Sequence, residues 1–196
     1  LNFLMHFPTA YADKIVISGD KWCPFNCEPN TAKPGYMVEV AQKIFSKAGH
    51  TVEYKVNPWE RALQECREGK LNAVIGAIND EAPDFIFPTN ELAINVDSLF
   101  VLKEKNWTYS DISSFSKVSI GAIKGYAYGS DELNEYIKKN EKNDKAVQLA
   151  FGDTALETNI KKLDAGRIDV VVESPAVFFY TSNQMKMNDR FKLAGK

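Results

Sequence analysis

Gly69-Lys70-Leu71-Asn72-Ala73-Val74 returns 97 residues further on as Gly166-Arg167-Ile168-Asp169-Val170-Val171. Each copy carries a glycine, a cation, a branched apolar residue, a short amide or acid side chain and an apolar pair. Each glycine follows an apolar stripe at helical spacing, where glycine stops a helix. Upstream of Gly69 the stripe is Trp59, Leu63 and Cys66. Upstream of Gly166 it is Leu156, Ile160 and Leu163. The apolar runs that follow, Leu71–Ile78 and Ile168–Val172, read as strands covered on both faces. The two hexapeptides therefore mark one joint, helix into buried strand, in two copies of a single plan.

Working outward, the first copy starts with a strand at Lys14–Ser18 and a loop over Gly19–Lys33 that holds prolines and two cysteines. A helix over Gly35–Ala48 presents Met37, Val40, Ala41, Ile44 and Phe45 on one side, and Gly49 ends it. Thr51–Val56 alternates as a strand. Asn57-Pro58-Trp59-Glu60 opens the next helix, with Asn at the cap and Pro at the first position. In the second copy Val118–Ile123 and Val147–Phe151 are strands. Ser130 caps the helix between them, Thr154 and Glu157 form a capping box, and Ser174-Pro175 opens a last helix. Repeated strand–helix–strand units need parallel pairing and right-handed crossovers. The expected fold is α/β: two similar lobes, each a mostly parallel sheet flanked by helices, with a ligand cleft between them. The expected division is 13–103 for lobe 1, 104–117 for a crossover and 118–196 for lobe 2.

Composition narrows the function. The chain has 196 residues, 44% apolar and 26% charged, enough to bury a core without staples. A net charge of −2 gives no basic excess for a nucleic-acid partner. No apolar run reaches the ~18 residues of a membrane span. Leu1–Ala12, LNFLMHFPTAYA, reads as the tail of a secretory signal peptide, with cleavage after the Ala10-Tyr11-Ala12 triplet. Cys23 and Cys27 flank three residues including a proline and are expected to close a small disulfide in an oxidising compartment. Cys66 is expected to be a buried hydrophobe. With only His6 and His50, neither a zinc site nor a Ser-His-Asp triad has ligands to build on, and no cofactor motif is present. The chain is expected to be a non-enzymatic monomer.

Ligands of open α/β sheets sit beyond the carboxyl ends of the strands. Those ends carry Asp20, Trp22 and Phe25, then Trp59 and Arg61, then Asn79. In the second lobe they carry Lys124, Tyr126 and Tyr128, then Glu173. Aromatic faces and a few charges together suit a small polar organic solute, with an amino group among its candidate features. Trp59 also serves core packing. Glu173 ends the apolar run IDVVV, where a carboxylate is costly unless paired or at a cleft mouth. It is either a ligand anchor or a charge beside the helix that Ser174 starts.

The order of these pieces resembles the periplasmic solute-binding proteins of the polar-amino-acid type, which have the type II bilobal fold. The segments that carry the resemblance are Cys23-Pro24-Phe25, Pro34–Val40, Pro58-Trp59-Glu60-Arg61, Gly69–Gly76, Phe85-Ile86-Phe87-Pro88 and Gly166–Asp169 with Glu173. The resemblance implies a periplasmic protein that closes on a small solute and delivers it to an ABC permease. It also implies that an acidic residue at the position of Glu173 receives the solute's amino group. The same fold serves ligand-sensing modules of membrane receptors and dehydratase-type enzymes, so these are the alternatives. Two departures stand out. The family's Thr-x-x-Arg after the third strand, whose Arg clamps a carboxylate, is replaced here by Asn79-Asp80-Glu81-Ala82. The family's return of the chain to lobe 1 has no counterpart before Lys196, so the fold is expected to be truncated at the C-terminus.

Overall fold

Two sheets share one ordering rule in the computed structural model of this chain, which describes residues 12–196. The leader reading falls, apart from Ala12, outside the described residues. In the first lobe, β1 (Lys14–Gly19), α1 (Tyr36–Lys47), β2 (Thr51–Val56), α2 (Trp59–Arg67) and β3 (Ala73–Val74) follow in turn. Their sheet has the order β2-β1-β3 and is parallel throughout. The second lobe contains β4 (Ser98–Leu102), β5 (Ile120–Ile123), α3 (Asp131–Asn140), β6 (Val147–Ala150), α4 (Ala155–Asp164), β7 (Val170–Glu173), α5 (Pro175–Gln184) and β8 (Phe191–Gly195). Its sheet runs β6-β5-β7-β4-β8. Strands β5, β6 and β7 are parallel, and β4 runs antiparallel to β7 and β8. The order β6-β5-β7 repeats β2-β1-β3, so the sequence repeat is a repeat of topology.

The paired hexapeptides show why. Gly69 and Gly166 both adopt left-handed φ, 71° and 65°, which glycine reaches without strain. Their N–H groups bond Cys66 O and Leu163 O, and the next N–H groups, of Lys70 and Arg167, bond Glu65 O and Lys162 O. Each helix end thus satisfies its last carbonyls in the same way. Three residues past each glycine, Asn72 and Asp169 hold the lobe's central strand. Asn72 N–H donates to Val16 O, and its Oδ1 accepts from Val16 N–H, both at 2.8 Å. Asp169 N–H donates to Ser119 O at 2.9 Å, and its Oδ2 accepts from Ser119 N–H at 2.9 Å. Ser119 Oγ also donates to Asp169 Oδ2 at 3.0 Å, and Lys105 Nζ donates to Oδ1 at 2.6 Å, so the carboxylate accepts three bonds.

The second sheet is covered on both faces. Phe100, Ile123, Val171 and Phe178 pack with α4 and α5, and the Phe100 and Phe178 rings stack at 3.9 Å. Leu99, Ile120, Val170 and Val172 pack on the other face against Phe115 and Leu133. The period of two along each strand sends alternate residues to each layer. The first lobe has a smaller core of Ile17, Met37, Val38, Tyr54 and Ile75.

Several expectations are corrected. Ser98–Leu102, placed in lobe 1 by the boundary at 103, lies in the second sheet, with Ser98 opposite Glu173. An antiparallel strand carries no helix crossover to reveal which sheet it joins. The apolar run Leu71–Ile78 yields only the two-residue β3, because it pairs with β1 alone. Gly76, at φ 94°, then turns the chain away. Leu71 and Ile75 are still buried. Neither Thr154 nor Asn57 caps its helix through its side chain. Glu157 faces Lys21 instead, and Asn57 donates to Ser18 Oγ and Glu65 Oε2. Cys66 is half-buried rather than fully buried.

Cys23 is bonded to Cys27, in the loop whose hairpin-like bridge pairs Trp22 with Asn26. Thiol titration of the denatured, unreduced protein should therefore find one free thiol, Cys66, and three would contradict the bridge. Asp169→Ala removes three accepted bonds, two of them from Ser119. It should lower the unfolding free energy by about 2 kcal/mol, the scale of hydrogen bonds to a charged group. Urea denaturation reads this directly, and a change under ~0.5 kcal/mol would mean that the Asp169 clamp is dispensable.

Candidate functional site

The lobes meet at the carboxyl ends of β1 and β7. At the end of β1 the chain turns through Asp20, Lys21 and Trp22. Gly35 makes this loop possible: at φ 112° a Cβ there would sit 2.4 Å from Phe25 O. The loop is thereby pressed against the start of α1, and the Trp22 and Phe25 rings lie 4.8 Å apart. At the end of β7, Glu173 is 1% exposed, with Ser174 and α5 directly after it.

Side chains join the two ends. Trp22 Nε1 donates to Glu173 Oε1 at 2.9 Å, and Ser174 N–H donates to the same oxygen at 2.8 Å. The Tyr126 hydroxyl donates to Asp20 Oδ2. Glu81 Oε1 accepts from Ala127 N–H at 2.9 Å, also across the lobes. Asp97 Oδ2 accepts from Gly129 N–H at 2.9 Å. Gly125, at φ 85°, lets the second lobe come close, since a Cβ there would lie 2.8 Å from Glu60 Cγ. The enclosed space bounded by Asp20, Lys21, Trp22, Tyr126, Asp153 and Glu173 amounts to about 10 Å³, a single water's worth. A wider open hollow of about 490 Å³ lies at the opposite, amino end of the second sheet, around Lys117, Lys145, Arg167 and Asp169.

Charge in the cleft is one-sided. Burial pushes the Glu173 carboxyl up to about 8, and Asp97 and Asp20 add to the rise. Burial raises Asp20 to about 6, against the bond from Tyr126. Burial raises Glu81 to about 7, with Asp20 and Asp97 contributing. Asp97 is raised for the same first reason. Glu173 Oε2 is buried without a hydrogen-bond partner. The nearby cations each have a carboxylate partner: Lys21 is near Glu28 and Glu157, the latter also lining this space, Lys124 pairs with Glu60, and Arg61 with Glu65.

The expected site residues divide accordingly. Asp20, Trp22, Tyr126 and Glu173 come together, and Phe25 packs behind Trp22. Trp59 is core, buried with Leu63 and Ala82 and edge-on to Tyr126 at 6.1 Å. Tyr128 is also core, and its hydroxyl accepts from Ile123 N–H at 2.8 Å. Arg61 lies on the outer face of α2, bonded to Glu65 one turn along, and is no cleft residue. Asn79 is exposed. Lys124 stands at the mouth, 3.1 Å from Glu60. Sequence reasoning missed Glu81 and Asp97. Glu81 belongs to the segment inspected for an arginine, so its own carboxyl was the available signal. Asp97 has no motif around it.

Two βαβαβ lobes with functional groups gathered where their strand ends meet define a bilobal ligand-binding protein. The model of the bacterial extracellular solute-binding proteins, family 3, matches residues 15–139, and the chain belongs to that family. Solved structures have the same type II fold. A histidine kinase sensor domain with similarity to periplasmic binding proteins has a TM-score of 0.71 at 19% identity, over 92% of this chain and 76% of that one. The amino acid ABC transporter substrate-binding protein AbpA of Streptococcus pneumoniae, bound to L-arginine, has 0.69 at 18%, over 92% and 74%. A structure from Streptococcus mutans described for glutathione import via GshT and the cystine ABC importer TcyBC has 0.72 at 18%, over 94% and 77%. No curated protein sequence matches the chain.

Because three cleft carboxyls have folded-state values raised above the unfolded ones, their contribution is favourable below pH ~4.3. It is lost as pH rises through about 6, 7 and 8. Thermal unfolding should therefore show stability falling from pH 4.5 to 8.5. Glu173→Gln, which keeps the oxygen facing Trp22, should flatten this slope and raise the Tm at pH 8.5. A variant with an unchanged slope would show that Glu173 is solvated.

Proposed function

We propose that this solute-binding protein takes a small polar molecule in the cleft between its lobes outside the cytoplasm, closes on it, and hands it to an ABC importer without chemical change. The observation that carries the reading is the pairing of Trp22 with Glu173 and of Tyr126 with Asp20 across the cleft. Groups that hold the lobes together by these bonds exchange them for bonds to a solute when the lobes part and reclose. Glu173 is the anchor for the solute's donor group, held at the corner where β7 meets α5. Its loose oxygen offers the charge-assisted bond, worth about 1.5–3 kcal/mol, that a protonated donor completes. Trp22 and Phe25 supply faces to stack on, positioned by the Cys23–Cys27 loop. Export fits the family's extracellular character and the cystine bridge.

A sensing role is the second reading, supported by the likeness to a histidine kinase sensor domain. Both readings share the binding step. Loss of uptake of the identified solute on deleting the gene supports delivery, and intact uptake supports sensing.

The binding step is tested by a thermal-shift panel of amino acids, polyamines, small acids and sugars. A ligand at ~100 times its dissociation constant adds about 2.7 kcal/mol. Small-angle scattering should then show a changed radius of gyration between the protein alone and with the solute that shifts it. A panel with no shift and no change in radius would overturn the reading.

A further inference from the structure

We propose that the cleft selects an organic cation that has no carboxylate, such as an alkyl diamine or a guanidino-amine, rather than an amino acid. The inference rests on the solute-binding reading and deepens it.

Three observations meet at this site. The first is an orphan: Glu173 is 1% exposed, its Oε1 is satisfied by Trp22 and Ser174, and its Oε2, buried, has no partner. Glu173 also lines the enclosed space between the lobes. A buried carboxylate oxygen left without a donor costs free energy, and a donor brought by a ligand removes that cost.

The second is the excess of acids over cations among the described residues lining that space. Asp20, Asp153 and Glu157 line it with Glu173, and Asp97 stands close enough to raise both Glu81 and Glu173. Tyr126 and Tyr128 face Glu173 as neutral phenols. The one cation lining the space, Lys21, is 3.2 Å from Glu28 and 3.8 Å from Glu157, and Glu157 lines the space with it. A ligand carboxylate would enter a field of four lining acids whose single lining ammonium, Lys21, already has two carboxylate neighbours, a repulsion that low dielectric strengthens.

The third is the chain after β3. The segment Asn79-Asp80-Glu81-Ala82 puts a carboxylate, Glu81, at the lobe junction, bonded to Ala127 N–H and Ile78 N–H. The charge supplied there is negative. Asp20 and Glu173 both line the space between the lobes, so more than one acidic group faces a ligand there.

Proton linkage follows from the same geometry. The carboxyls that hold protons in the free protein at neutral pH give them up to a cation that replaces them. Binding should release protons at pH 7 and tighten from pH 6 to 8.5.

The test pairs probes that differ only by a carboxylate. Titration calorimetry with agmatine against arginine, and putrescine against ornithine, uses the whole chain at pH 8, in two buffers of different ionisation enthalpy. Expected are at least ten-fold tighter binding of the decarboxylated member of each pair, proton release, and at least ten-fold weaker agmatine binding by Glu173→Gln. Arginine or ornithine binding as tightly as its partner overturns the proposal. So does failure of both amines while another solute of the panel changes the scattering radius, and in that case the binding reading stands. No response to any solute overturns both.

Discussion

The Trp22 indole N–H bonded to Glu173 is the contact on which the arrangement of this molecule turns. It joins the end of the first strand of one lobe to the end of the third parallel strand of the other. It also leaves a carboxylate buried at the junction with one oxygen unmatched. A carboxylate in such a position stays protonated far above its usual range or waits for a cation. The neighbouring acids push the same way, so the junction stores a demand for positive charge. On the function proposed above, that demand is a specificity device: the free state is held back from its best electrostatics, and the ligand supplies them.

The scaffold makes the junction possible by repetition. Each parallel trio, β2-β1-β3 and β6-β5-β7, places its first strand in the middle, and each lobe ends a helix at a left-handed glycine. A short polar side chain three residues later then bonds the central strand's backbone, through Asn72 in one lobe and Asp169 in the other. These clamps sit at the amino ends of the strands, far from the cleft, and leave the carboxyl ends free to carry loops. The clamps and the candidate site thus occupy opposite ends of each sheet, and ligands of open α/β folds sit at the carboxyl ends. Two glycines then set the approach of the lobes. Gly35 packs the Trp22 loop onto α1, and Gly125 lets its loop rest on Glu60.

The family was legible because order and spacing carried it, although identity to the solved structures is only 18–19%. The site was legible in part. Asp20, Trp22, Tyr126 and Glu173 lie at or just past strand ends, so the strand-end rule put on one list four residues that the structure brings together. Arg61 failed the same rule because it sits on α2 beyond the first turn, where the helix carries it round to Glu65. Tyr128 failed because its loop folds back and its hydroxyl serves a strand amide. Ser98–Leu102 was placed in the wrong lobe because sequence proximity is a poor guide to an antiparallel edge.

The sequence by itself determined the periodicities, the helix stops and the doubled joint, since these are local: glycine's φ, apolar spacing and short polar side chains act within a few residues. From them followed two parallel βαβαβ units and a cleft at their strand ends. Only the tertiary structure decided which charges share that cleft. Glu81, Asp97 and Glu173 are separated by 16 and 76 residues along the chain, and burial alone makes their carboxyls feel one another. Electrostatic coupling depends on distance through space and on the exclusion of water, and neither is written in the spacing of residues along a chain.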